Sequence, residues 1–171
     1  VDIDGFTHCL YSPSSGNDSS DGELFLTVRD CDLHPWWTFC IGLWTVPGGH
    51  KRLHLYDSYL HDNQNGHLVY THPHNSVHVE NTRFDGASSW AFHFQGTEVA
   101  GDPEYQRFIG CWFGPRNTQG LITQDRATVA TEVEVRNCTF EGQPSIQIRS
   151  DIIIDGCYFT TGQESARDTL F

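Results

Sequence analysis

The amino-acid sequence predicts an all-β fold, a right-handed parallel β-helix of about seven coils. Three observations carry that prediction. A short unit recurs along the chain, its residues alternate between apolar and polar with a period of two, and a turn residue precedes a small Cys, Ser or Thr in copy after copy. Alternation of period two means strands with one inward and one outward set of side chains. A unit this short cannot bury its own apolar face, and stacking successive units does so.

The unit reads apolar-x-apolar-x-(Asn/Asp/Gly)-(Cys/Ser/Thr)-x-(Phe/Leu/Tyr). It opens at Phe6-Thr7-His8-Cys9-Leu10-Tyr11 and continues at Val28-Arg29-Asp30-Cys31-Asp32-Leu33. Fuller copies run from Leu53 to Leu60, Val77 to Phe84, Val133 to Phe140 and Ile152 to Phe159, and a looser one from Phe108 to Phe113. The small residue marks the register at positions 9, 31, 58, 82, 111, 138 and 157, in steps of 19 to 29 residues. The Asn, Asp or Gly before it tolerates left-handed backbone angles and marks a corner. A second strand follows in most units: Phe39 to Leu43, His67 to Tyr70, Trp90 to Phe94 and Ile146 to Ile148. Turns of variable length, such as 11–22 and 97–103, separate the strands, as a solenoid allows. A leucine-rich repeat would place leucine at most inward positions, where this chain uses Val, Ile and Phe. An antiparallel sandwich would not explain the recurring corner unit.

The pattern resembles the pectate-lyase-like superfamily of right-handed parallel β-helices over nearly the whole chain. The motifs that carry the resemblance are Asn137-Cys138-Thr139-Phe140, Gly110-Cys111-Trp112-Phe113 and Gly156-Cys157-Tyr158-Phe159. Five of the six cysteines, all but Cys40, then fall at one inward position. They read as a packing ladder of thiols, although a vertical disulfide such as Cys138 to Cys157 is compatible in distance.

With 171 residues the chain fits one domain, 1–171. It lacks any methionine, including the first residue, and ends on Leu170-Phe171, so it is expected to be a segment of a larger protein. The formal net charge is -12 and Lys51 is the only lysine. Such a surface repels phosphates, which argues against nucleic acid, and it suits solubility in a saline, halophilic setting. No apolar run approaches the roughly 18 residues of a membrane span. The expected location is extracellular or on a virion surface, and nothing in the sequence calls for a cofactor.

The same register identifies the outward residues. Four before the mark stand His54, His78 and Arg107, two before it Tyr56, and one after it Tyr59, Arg83 and Trp112. Rings interleaved with cations suit a sugar, since rings stack on pyranose faces and polar groups bond the hydroxyls. His54, Tyr56, Tyr59, His78, Arg107 and Trp112 are therefore the candidate ligand-binding residues. Eight of the ten histidines lie between His50 and His93. That cluster reads as catalysis, as a transition-metal site on His67, His72 and His74, or as a polar surface. Trp36-Trp37, with Trp44, reads as packing, and Asn17 and Asn137 fit the glycosylation pattern.

Tyr70-Thr71-His72-Pro73-His74 resembles the motif of mannuronan C5-epimerases, in which a tyrosine is followed by aspartate-proline-histidine. Here His72 stands where that family has aspartate, and the tyrosine is one place late. The resemblance implies a polysaccharide lyase or epimerase using Tyr70, His74 and His93, with Arg83 neutralising a sugar carboxylate. The other expectation is a non-catalytic structural and recognition module of a tailspike, fibre or turret type. Its partners would be a glycan or polysaccharide, and other virion or cell-surface subunits, with a homotrimer as one arrangement.

Overall fold

The computed structural model describes residues 2–4, 8–12, 24–35, 38–44, 50–72, 75–95, 105–125, 132–142, 146–147 and 151–161. Every regular element among them is a β-strand, and the strands form three parallel sheets. Sheet A stacks β1 (Asp2–Asp4), β4 (Asp32–His34), β7 (Tyr59–Asn63), β10 (Arg83–Ala87), β13 (Trp112–Phe113), β16 (Thr139–Gly142) and β19 (Tyr158–Thr161). Sheet B stacks β2 (His8–Ser12), β5 (Phe39–Leu43), β8 (His67–Thr71), β11 (Trp90–Gln95), β14 (Gln119–Asp125) and β17 (Ile146–Gln147). Sheet C stacks β3 (Leu24–Arg29), β6 (Lys51–Tyr56), β9 (Ser76–Glu80), β12 (Gln106–Ile109), β15 (Val133–Arg136) and β18 (Ile152–Asp155). Each coil visits C, then A, then B, and pairs only with the coils before and after it. This is the parallel β-helix that the repeat predicts. No helix among the described residues is long and apolar enough to cross a membrane.

The corner from sheet C to sheet A explains the repeat. Asp30, Asp57, Asn81 and Asn137 take φ of 52°, 47°, 50° and 52°, and Gly110 and Gly156 take 63° and 62°. Side chains other than Gly, Asn and Asp rarely adopt that left-handed region, so the corner selects those three residue types. The next side chain then folds back to the carbonyl two residues earlier. Ser58 Oγ donates to Tyr56 O (2.6 Å), Thr82 Oγ1 to Glu80 O (3.0 Å) and Cys138 Sγ to Arg136 O (3.3 Å). Ser, Thr and Cys are interchangeable here because each is small and carries one donor.

Cys9 is a correction to the register. Strand β1 pairs with β4 at Asp2↔Asp32, so the sheet A strand of that coil precedes Cys9. Cys9 lies on β2 in sheet B, level with Cys40, because His8 pairs with Phe39 and Leu10 with Ile41. The corner ladder is Cys31, Ser58, Thr82, Cys111, Cys138 and Cys157. All six cysteines are free thiols.

Two residues past the corner, the inward side chain is Leu33, Leu60, Phe84, Phe113, Phe140 and Phe159 in turn. Ring centroids along the last four are 5.0, 4.7 and 4.8 Å apart, which matches the spacing of about 4.8 Å between paired strands. Phe92 and Phe108, from sheets B and C, meet edge to face at 4.9 Å beside this stack. The three inner faces thus share one core. Buried asparagines tie the remaining turns to it. Asn117 Nδ2 donates to Phe84 O (3.2 Å) and Gly114 O (2.9 Å), while its Oδ1 accepts from Ala87 N (3.0 Å). Lys51 also points inward. It is 3% exposed and its Nζ donates to Trp44 O, so it is no surface base.

Candidate functional site

The outward side chains form three separate faces, one per sheet, and the residues singled out in the sequence divide among them.

On sheet B the strands break simple alternation. Leu68 and Val69 both face inward between His67 and Tyr70, and Ala91 and Phe92 do so between Trp90 and His93. Outward residues are therefore three apart, and the pairing shifts register between Trp90 and Phe92. His93 pairs with Tyr70, and their rings are 5.4 Å apart. The His67 ring lies 4.4 Å from His93, with Nε2 of His67 3.2 Å from Nδ1 of His93. Phe39, Trp44 and Trp90 pack around this group, with Phe39 and Trp44 at 5.0 and 5.6 Å from Tyr70.

A backbone amide sets the direction of the histidine pair. Trp90 N–H donates to His67 Nδ1 (3.3 Å), so the neutral His67 ring carries its proton on Nε2 and donates it to His93. Burial, aided by the neighbouring His93, pushes the pKa of His67 down to about 3. A ring held there stays neutral near pH 7 and is a poor proton shuttle at that pH.

On sheet C, His54, His78 and Arg107 stand level on β6, β9 and β12. Tyr105, just before β12, places its hydroxyl 2.6 Å from His54 Nε2, two coils back. Tyr56 OH lies 3.2 Å from His54 Nδ1. His54 is thus held at both nitrogens by tyrosine hydroxyls, and burial, His78 and Arg52 lower its pKa. Next to them His78 Nε2 lies 3.4 Å from Glu80 Oε2, and Arg107 pairs with Glu134 at 3.2 Å.

On sheet A the outward file is Asp32, Tyr59, Arg83, Trp112, Thr139 and Tyr158. The Arg83 guanidinium lies 5.0 Å from the Tyr59 ring centre and 4.7 Å from that of Trp112. Arg29, Arg107, Arg116 and Arg136 each pair with a carboxylate, whereas no carboxylate among the described residues pairs with Arg83. Gly114 makes room for this arrangement, because a Cβ there would run into the Trp112 ring and the Asp85 carboxylate. In the adjoining file, His61 lies between Asp32 (2.7 Å) and Asp62 (2.8 Å). Arg116 donates to Asp85 (2.6 Å) and to Asp62. Burial raises the Asp62 pKa, but His61 and Arg116 outweigh it and hold the carboxyl below its usual range.

The structure thus brings Tyr70, His93 and His67 together, groups His54, Tyr56, His78 and Arg107, and joins Tyr59, Arg83 and Trp112. It places Arg83 on sheet A and Tyr70 and His93 on sheet B, two different faces. His74 lies outside the described residues, as do Trp36, Trp37 and Asn17. His72 directly follows β8, and its carbonyl accepts from Asn75 N (3.1 Å). Among the described residues, no group of three or more His, Cys, Asp or Glu side chains is placed to hold a metal ion. Sequence reasoning missed Tyr105, Trp90, Asp85 and Arg116, and took His61 only as one of the eight clustered histidines. The alternation on β7 and β10 is the signal that could have placed His61 and Asp85 in one column.

Compared with protein-family models, curated proteins and solved structures, the chain matches none at a significant level.

Proposed function

We propose that the chain is a non-catalytic structural and recognition module of an extracellular or virion-surface protein, presenting the outer faces of its solenoid to a glycan. The observation that supports this most is the separation of the chemistry. Tyr70 and His93 face out of sheet B, and Arg83 faces out of sheet A. Acid–base work on one sugar needs its groups within hydrogen-bond reach of that sugar, and recognition does not. Continuous files of rings and polar groups suit binding along the solenoid axis. In the Tyr59–Arg83–Trp112 file the cation is braced by both rings, each contact contributing about 0.5–1 kcal/mol at an exposed site. Its in-plane N–H groups stay available for a ligand.

The corner motif supports kinship with the pectate-lyase-like superfamily, and the architecture fits a tailspike or fibre segment. Partner subunits, including copies of this chain in a homotrimer, would then share the surface with the glycan. A second reading, a polysaccharide lyase or C5-epimerase, is favoured by one observation, the contact of Tyr70 with His93 and His67 on sheet B.

The test is a panel of neutral and acidic polysaccharides, scored for binding and for ultraviolet absorbance of unsaturated products. Proton NMR of the recovered polymer reads epimerisation. Binding without product, weakened by Trp112→Ala, is the expected result. Product formation lost in both Tyr70→Phe and His93→Gln would overturn the proposal in favour of the enzyme.

A further inference from the structure

Cys138 is the middle of three thiols that stand on consecutive coils at one corner position. Trp112 pairs with Thr139 and Thr139 with Tyr158, each one residue beyond Cys111, Cys138 and Cys157. The Thr139 and Tyr158 amides donate to Cys111 O (2.9 Å) and Cys138 O (2.8 Å), so the corners are stacked directly. Neighbouring strands lie about 4.8 Å apart, inside the Cα separation of roughly 4.4–6.8 Å that a disulfide spans. The Cys138 and Cys157 thiols also take the same orientation, since Cys138 Sγ donates to Arg136 O (3.3 Å) and Phe108 O (3.4 Å), and Cys157 Sγ to the equivalent Asp155 O (3.5 Å) and Val135 O (3.4 Å). Cys111 and Cys138 are buried, and Cys157 is half-buried. At the other end of the ladder Cys31 stands beside Ser58 and has no thiol on the next coil to join.

We propose that Cys157 and Cys138 form a redox pair, which a low-molecular-weight disulfide such as oxidised glutathione converts into a bond between adjacent coils. The Cys157 thiolate attacks one glutathione sulfur, the glutathione S–S bond breaks, and one glutathione leaves as its thiolate. Cys157 then carries the other as a mixed disulfide. The Cys138 thiolate attacks Cys157 Sγ, forming the Cys138–Cys157 bond and expelling the second glutathione thiolate. The two protein thiols give up two electrons, which reduce the glutathione disulfide, and two protons, which the glutathione thiolates and water take up. Access places the first step at Cys157. The second step uses the direct stacking of the two corners on adjacent coils. The neighbouring Cys111 lowers the Cys138 pKa against the burial that raises it, which favours the attacking thiolate, while burial raises that of Cys157.

The experiment uses the full chain, reduced, freed of reductant and incubated folded with oxidised glutathione. Remaining thiols are alkylated in denaturant, and the peptides are mapped by mass spectrometry without reduction. The expected result is a peptide linked through Cys138 and Cys157, with Cys111 alkylated and a melting temperature raised by roughly 5 °C or more. Cys157→Ser should abolish the link and still fold, since serine already serves at position 58. A stable glutathione adduct on Cys157, a link between Cys111 and Cys138, or full alkylation of Cys138 and Cys157 would each overturn the proposal.

Discussion

Nε2 of His67 lies 3.2 Å from Nδ1 of His93, and the Trp90 amide, bound to the far side of the His67 ring, decides which of the two donates. Protonating His67 would put a proton on Nδ1 and break the bond from Trp90.

That arrangement gives a pH dependence of known sign. The pKa of His67 is about 3 in the folded chain and near 6.5 in an unfolded one. Between those values the unfolded state binds more protons, so stability falls as pH drops. The contribution is complete above about pH 6.5 and lost progressively towards pH 3. Melting temperatures measured from pH 7 to pH 4 should fall more steeply for the wild type than for His67→Gln. Carboxylates titrate in both proteins, so the difference between slopes isolates His67. Equal slopes would contradict the assignment.

Phe113 sits between Phe84 and Phe140 in the ring stack and is fully buried. Phe113→Ala should cost about 3–5 kcal/mol in urea unfolding, from lost transfer energy and the cavity left behind. Phe159, half-buried at the end of the stack, should cost less when changed in the same way.

Gly110 occupies the left-handed corner at φ 63°, and a Cβ there would sit 2.7 Å from Asn81 Oδ1. Gly110→Ala should destabilise by about 1–2 kcal/mol. Gly110→Asn should cost less, because Asn81 and Asn137 already take that conformation. Chemical denaturation of the two variants side by side decides the order.

Burial pushes the Cys40 and Cys111 thiols well above their usual pKa. Iodoacetamide should therefore label both far more slowly than Cys157 in the folded, reduced protein, and equally fast in denaturant. A time course read by peptide mass spectrometry gives the ratio. Fast native labelling of Cys111 would mean that the corner ladder opens on its own.

The parts of the fold that were legible in the sequence are those where backbone geometry restricts residue choice. A left-handed corner admits Asn, Asp or Gly, so Asn81, Gly110 and Asn137 announced the coils. Sheet B was harder to read because β8 and β11 bury two consecutive residues, which hides the shared face of His67, Tyr70, Trp90 and His93. Cys9 was misplaced because 6–11 alternates as a corner strand does while pairing, at His8 and Leu10, with β5. Arg83 and Tyr70 stand on different sheets for a geometric reason. One coil visits three faces within about two dozen residues, so closeness in sequence does not mean a shared face. Tyr105 and Arg116 reach their partners, His54 and Asp62, across two coils from segments that carry no repeat signal.

Coil-on-coil stacking also dictates how order is lost. Ile152 and Ile154 on β18 are 36% and 39% exposed, while Val77, Val79 and Phe108, nearer the middle of sheet C, are fully covered. A one-dimensional array of this kind frays from its ends, so amide hydrogen exchange should form a gradient, fastest on the terminal coils and slowest at the centre. His54, His67, Arg83, His93 and Trp112 all stand in that slow-exchanging middle, where the outer files keep their spacing while the ends breathe.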